Sequence, residues 1–261
     1  MRALSIAASG MQAQQLNVDV ISHNIANMNT TGYKRQRAEF QDMLYQNMER
    51  PGSTSSASGA IVPLGIQIGV GVHADAVGRV TEQGGISQTG NPYDLAVNGR
   101  GFLQVALPSG QTGYTRAGNL AVNADGAIVT ADGYPLEPSI TVPAEATAIQ
   151  ITRDGVIEVT LTGQSAPSQV GQIEIATFIN PAGLEGIGDN LFLETPASGS
   201  PNVATPGSAG FGTLMQGFLE LSNVNAVEEI SALIVAQRAY EMNARVITAA
   251  DEMMQSTTQL R

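Results

Sequence analysis

The chain has 261 residues, 43% hydrophobic and only 13% charged, enough to bury the core of one large domain or two modest ones. It contains no cysteine and no tryptophan, which excludes disulfides, thiolate metal sites and thiol nucleophiles. The net charge of −11 is uneven, with +1 on residues 1–50, −10 on 51–221 and −2 on 222–261; nucleic acid is not expected as a partner, because phosphate binding needs a basic stripe and Lys34-Arg35-Gln36-Arg37 is too short to be one.

From Ala3 to Asn27 the helical period dominates. Leu4, Ala7, Met11, Gln14, Val18, Ile21, Ile25 and Met28 step by alternating threes and fours, the spacing of a heptad seam. Asn29-Thr30-Thr31-Gly32 then supplies turn formers and a glycine suited to a left-handed cap. The apolar run that opens the chain is shorter than the roughly 7–15 residues of a signal-peptide core, so export without a cleaved signal is expected. A second helical run is predicted over Arg35 to Met48, with Phe40, Met43, Leu44 and Met48 on one side. Pro51 to Gly59, rich in Ser and Gly, reads as a flexible linker.

From Ile61 to about Leu193 short β-type runs alternate with turns. Three Asp-Gly pairs, Asp125-Gly126, Asp132-Gly133 and Asp154-Gly155, lie beside runs such as Val156-Ile157-Glu158-Val159, and Asp-Gly supplies the positive φ of a tight hairpin turn. No helical stretch of about 10 residues interrupts them, which excludes βαβ units and predicts an antiparallel sheet or barrel. Pro196 to Gly210 reads as a second linker, and Gly217 to Leu221 as extended chain. Asn225 with Glu228 is a capping-box signature. The helix it opens carries a second seam: Ile230, Leu233, Gln237, Tyr240, Ala244, Ile247, Asp251 and Met254.

The expected class is therefore α+β: terminal α-helices forming a coiled-coil-like helical layer, with an inserted antiparallel, mostly β domain. The predicted divisions are an N-terminal helical segment 1–45 that pairs with 222–261, an extended connection 46–79, a β domain 80–197, a return linker 198–221 and a C-terminal helix 222–261. No segment approaches the ~20 apolar residues of a membrane span, so no membrane insertion is expected.

Catalysis finds little support. Only two histidines exist, His23 and His73, and no nucleophile elbow, His-Glu-x-x-His, P-loop or dinucleotide fingerprint is present. No catalytic residue, metal site or cofactor is predicted. A secreted β-rich hydrolase would need an acid pair in the acidic middle; fourteen acids spread over that region read more simply as a solvated surface. The terminal stripes point elsewhere. Polar residues interrupt both seams, and Ile6, Leu16, Val20, Ile234, Val235, Met242 and Val246 give each helix a second apolar side that a simple hairpin would leave bare. Further copies would bury it, and an unlike-face contact that does not close makes a helical filament. The expectation is that the termini order only on assembly, with Leu4, Ala7, Met11, Val18, Ile21, Ile25, Met28, Ile230, Leu233, Tyr240, Ala244, Ile247 and Met254 as the assembly interface.

Ser9-Gly10-Met11-Gln12-Ala13 through Asn24-Ile25-Ala26-Asn27, continuing to Thr31-Gly32-Tyr33-Lys34, resembles the amino-terminal signature of bacterial flagellar rod and hook proteins. Ser222-Asn223-Val224-Asn225 with Gln237-Arg238-Ala239-Tyr240-Glu241-Met242-Asn243 resembles the matching carboxy-terminal signature, and Thr89-Gly90-Asn91-Pro92 to Gly101-Phe102 with Tyr114-Thr115-Arg116-Ala117-Gly118-Asn119 the β domain between them. His23 and Tyr93 stand where Asn and Leu are commoner. Tyr45 to Gln67 resembles the extended insertion of distal-rod members; a proximal-rod subunit of similar length is the alternative. The resemblance implies a non-enzymatic subunit of the basal-body rod, exported by the flagellar type III apparatus and spanning periplasm to outer membrane. It would polymerise with itself into a hollow drive shaft around the export channel. The partners implied are proximal rod proteins, hook protein, P-ring and L-ring proteins and the rod cap.

Overall fold

The structure, a computed structural model, describes residues 2–49, 64–162 and 166–259. The chain forms two compact units: Met1–Ala26 with Gln36–Gly78 and Asn225–Arg261, and Asn27–Arg35 with Arg79–Val224. The terminal helices and the antiparallel β domain inserted between them follow the expected α+β plan.

In the helical unit, helix α1 (Arg2–Ala26) packs against helix α2 (Ala226–Gln259). The second predicted helix, Arg35 to Met48, does not form; Gln36–Asp42 and Tyr45–Glu49 are strands. The cause is visible at Asn24, which is buried. Its Oδ1 accepts the Gln36 backbone N–H at 2.9 Å and its Nδ2 donates to the Gln36 carbonyl at 2.8 Å, so one side chain engages both backbone groups as a neighbouring strand would. Gln36–Asp42 then pairs with Val72–Arg79. Of the residues whose spacing suggested a helical face, Phe40 is half-buried, whereas Met43, Leu44 and Met48 are exposed, Leu44 at 86%. The predicted linker Pro51–Gly59 lies outside the described residues. Of the insertion-like segment Tyr45 to Gln67, residues 45–49 and 64–67 are described, and strand Tyr45–Glu49 pairs antiparallel with strand Ile66–Gly69, Tyr45 opposite Gly69.

The β unit is built from short strands. Six of them form one sheet in the order Glu185–Gly188, Leu191–Leu193, Thr112–Thr115, Phe102–Ala106, Ile175–Thr177 and Asn202–Ala204. A three-stranded sheet, Ala146–Ile151, Val156–Leu161 and Ser168–Gln172, shares its core, where Leu95, Leu103, Val105, Ile157, Val159, Ile173, Ile175 and Leu214 are almost wholly buried. The pairings are antiparallel.

The Asp-Gly turns share one architecture. At each, the glycine takes positive φ (81° at Gly126, 88° at Gly133, 81° at Gly155) while the aspartate does not. The residue three before the glycine accepts the glycine N–H: Asn123, Thr130 and Thr152. Its side-chain oxygen also accepts the N–H of the residue that follows, from Ala127, Tyr134 and Val156. These are type I turns closed by a glycine bulge, the three-residue hairpin loop rather than the two-residue one.

Pro196–Gly210, compositionally a linker, is part of the fold. Ser198 is buried, Thr195 is its hydrogen-bond partner, and Asn202–Ala204 is the sheet's edge strand beside Ile175–Thr177. The stretch expected to return loosely, 198–221, continues into strands Thr213–Gln216 and Phe218–Glu220, paired with Leu95–Asn98 and Ile86–Gln88. Small polar residues here serve tight turns instead of freedom.

Glu220 is the buried hub of this unit. Its Oε1 lies 2.6 Å from Lys34 Nζ and accepts the Gly84 N–H at 3.1 Å, and its Oε2 lies 2.9 Å from Arg116 Nε. Arg116 also donates to the Gly99 and Gly101 carbonyls, and Lys34 to that of Glu82. Burial still holds the Lys34 ammonium pKa below its ordinary value, so desolvation outweighs the attraction of Glu220. Three passages of chain meet here. Gly32 N–H donates to the Glu220 carbonyl, Val80 N–H to the Arg35 carbonyl and Leu221 N–H to the Gly85 carbonyl, while Asn223 bridges Arg35 N–H with the Val80 and Glu82 carbonyls. Gly32, at φ 70°, must be glycine: a Cβ would stand 2.7 Å from the Arg116 backbone. Removing one partner from a buried ion cluster costs about 3–5 kcal/mol because the others stay buried without it. Glu220→Ala is expected to lower stability by that amount in urea unfolding followed by circular dichroism, whereas the surface change Glu185→Ala should stay within about 0.5 kcal/mol.

Candidate assembly interface

Helix α2 starts where Asn225 predicts. Asn225 Oδ1 accepts the Val227 N–H at 3.1 Å, and its Nδ2 donates to Glu228 at 3.2 Å; Glu228 and Glu229 also complement the positive end of the helix. The two helices run antiparallel. Gly10 faces Asn243, whose Nδ2 lies 2.9 Å from where a Cβ would stand, and Asn24 donates to Glu229 at 3.2 Å. Two heptads separate these contacts on each helix.

Many of the side chains that close this seam are small. On α1, Ala7, Ala13, Val20, Ile21 and Asn24 are buried, with Gly10 and Asn17 half-buried between them. On α2, Glu229, Ala236 and Ala250 are buried and Ala232, Ala239, Asn243 and Ile247 half-buried. Relative to the predicted stripes, most of the contact line lies one residue toward the N-terminus, with Gly10 in place of Met11, Ala13 of Gln14, Asn24 of Ile25, Glu229 of Ile230, Ala236 of Gln237 and Ala250 of Asp251, while Ala7 and Ile21 are buried at their predicted places. One helical residue is about 100° of rotation, so the large apolar side chains flank the seam. Periodicity alone could not separate the two lines, because small residues contribute little hydrophobic signal yet permit the closest approach.

The predicted interface residues fall into three groups. Ala7 and Ile21 are buried in the helical unit; Leu4, Met11, Val18, Ile25, Leu233, Ala244 and Ile247 are half-buried; Ile230, Tyr240 and Met254 are exposed, as is Met28 beyond the end of α1. Val235 and Met242, on the second apolar side, are more open still at 67% and 60% exposure, as is Val227, which lies on neither predicted stripe, at 73%. Both terminal segments are helical in the structure and pack as a pair with uncovered apolar flanks. His23 and His73 are exposed. Among the described residues no cluster of His, Asp and Glu could hold a metal, and no helix is long and apolar enough to cross a membrane.

Comparison with known proteins agrees with this arrangement. The family profile described as flagella basal body rod protein matches residues 4–34, that of the flagellar hook protein FlgE/F/G D1 domain residues 96–159, and that of the flagellar basal body rod FlgEFG protein C-terminal region residues 215–260. A helical pair split across the ends of a chain around an antiparallel β domain, matched in all three parts, defines a structural subunit of the flagellar rod and hook class. Flagellar basal-body rod protein FlgG of Caulobacter vibrioides is 60% identical over all of both chains. The proteins of that name from Agrobacterium fabrum and Buchnera aphidicola are 52% and 46% identical over 97% and 99% of each chain. The chain belongs to the FlgG family of flagellar basal-body rod proteins, the structural subunits of the distal rod, which assemble with other components of the basal body.

The one-residue offset of the seam is directly testable. Ala236→Leu forces a large side chain into the closest part of the pair and is expected to cost about 1–3 kcal/mol. Gln237→Leu, one position along and exposed, should change stability by less than about 0.5 kcal/mol in the same thermal unfolding measurement.

Proposed function

We propose that copies of this chain stack through the outer flanks of α1 and α2 into a helical homopolymer. The terminal helices form the inner wall of a hollow shaft around the export channel, and the β units form its outer layer. The single observation that supports this most is the mismatch within the helical unit: a seam filled by small residues, with large apolar side chains left uncovered on either side. Several large apolar side chains left exposed on one helical pair mark an interaction site, and a contact between unlike faces of identical subunits builds an open helix. The shaft spans the periplasm to the outer membrane and carries motor torque to the hook. Its neighbours are proximal rod proteins at one end, hook protein and the rod cap at the other, and the P- and L-ring proteins around it, with the flagellar type III apparatus delivering its subunits. The acidic β units give the shaft a weakly adhesive outer surface suited to turning within rings. Leu4, Met11, Val18, Ile25, Met28, Ile230, Leu233, Tyr240, Ala244, Ile247 and Met254 are the interface set, extended by Val227, Val235 and Met242, while Ala7 and Ile21, buried within the pair, align it instead.

Val235→Asp tests this. The side chain is exposed in the single chain, so the circular dichroism of the isolated subunit should be unchanged and its stability within about 0.5 kcal/mol. Cells carrying only this variant are expected to lack complete rods in basal bodies viewed by electron microscopy and to be non-motile, and Val18→Asp should do the same from α1. Swimming cells with intact rods would refute the stacking model.

A further inference from the structure

A cleft of about 430 Å³ opens wholly within the β unit. Its floor is aromatic: Phe102 packs edge-on against Phe178 and Phe192, with ring centroids 6.0 and 6.1 Å apart. Its walls carry Lys34, Arg79, Arg100 and Arg116. The β unit has only six basic residues against thirteen acidic ones, and four of the six line this one cleft.

Local charge follows from what pairs with what. Lys34 and Arg116 share Glu220, leaving one positive charge between them. Arg79 lies over the Phe192 ring, 4.6 Å from its centroid, and donates to the Leu184 carbonyl at 2.6 Å; among the described residues no carboxylate pairs with it. The Arg100 guanidinium is exposed and makes no hydrogen bond or ion pair among the described residues. Glu82, also on the wall, offsets one of these charges. The cleft therefore stays net positive in a unit that is otherwise strongly negative.

We infer that this cleft receives a carboxylate-bearing segment of the β unit of a neighbouring copy, an inference that rests on the homopolymer reading above. Charge complementarity selects that occupant. Subunits of net charge −11 repel one another when packed side by side, and like charges brought together at an interface cost several kcal/mol. A positive cleft on each copy turns part of that repulsion into attraction. It also makes the contact heterologous, a cleft on one copy against an acidic surface on the next, as an open helix requires. The guanidinium groups of Arg79 and Arg100 suit a carboxylate through paired N–H donors, and the aromatic floor accepts an apolar side chain beside it.

The absence of cysteine makes a clean test available. Arg100→Cys, labelled with a thiol-reactive photo-cross-linker and incorporated into basal bodies, is expected to cross-link to a second copy of this chain, at a peptide carrying Asp or Glu. Arg100→Glu, in a residue without structural partners, should leave the thermal unfolding of the subunit unchanged yet reduce intact rods severalfold, and Arg100→Lys should restore them. Cross-linking only within one copy, to a peptide without acids, or to a different protein would overturn the proposal. So would normal rods in Arg100→Glu. If Arg100→Glu rods are normal while Val235→Asp abolishes them, the cleft assignment fails and the stacking model stands; if neither variant affects rods, the stacking model itself fails.

Discussion

The close approach of α1 and α2 along a line of small residues is the constraint on which the helical unit depends. Backbones come near one another only where side chains are short, and Gly10 opposite Asn243 leaves no room even for a methyl group without a shift. Once that line is fixed, rotation of both helices is fixed, and with it the outward placement of Ile230, Val235, Met242 and Val246. Asn24 adds register. It holds Gln36 with both ends of its amide and reaches Glu229 across the pair, so a slip along the seam would strand a buried carboxylate among alanines, at a cost of several kcal/mol. Small residues alone would permit sliding; the polar contact forbids it.

The β unit solves a related problem by different means. Three separate passages of chain must be held side by side, and none is long enough to do this with a continuous ladder. Glu220, with its side chain fully buried, gathers Lys34, Arg116 and Gly84 N–H around one carboxylate, and Asn223 ties the backbone of the same passages. Such a cluster is a poor source of net stability, as the lowered Lys34 pKa indicates. Its value lies in specificity: few alternative arrangements could satisfy a buried carboxylate and two buried cations together.

Much of this was legible in the sequence because the signals were local. The Asn225 cap, the glycines of the Asp-Gly turns and the absence of crossover helices each follow from one or two residues whose backbone preferences decide the outcome. The errors share a different physics. Arg35 to Met48 has a helical spacing of its large apolar residues Phe40, Met43, Leu44 and Met48, yet its first part, Gln36–Asp42, is a strand held at Gln36 by the longer-range contact from Asn24. Pro196–Gly210 has linker composition, yet its prolines and glycines shape turns around a short edge strand. Most of the helix contact line lies one residue from the predicted stripe, because hydrophobic periodicity weights size, whereas the closest approach between the helices falls at Gly10 and the alanines; Ala7 and Ile21 belong to both. The cleft cations were invisible in sequence, since Lys34, Arg79, Arg100 and Arg116 come together only through the fold.

The small-residue seam also bears on how a subunit can be ordered alone and still strongly driven to assemble. Burial of apolar surface contributes roughly 25 cal/mol per Å², so a seam of Ala and Gly commits little of the apolar area available on the two helices. A pair joined by its large side chains would be a stable, self-satisfied hairpin with nothing to offer a neighbour. A pair with no seam would be two floppy segments, and each added copy would bear the full entropy of ordering them. Alanine, glycine and asparagine at the contact line avoid both extremes: the helices are aligned in advance at small gain, and the larger gain is left for copies that arrive later. Under the stacking proposal, that partition leaves apolar surface of the helical pair free for contacts between subunits.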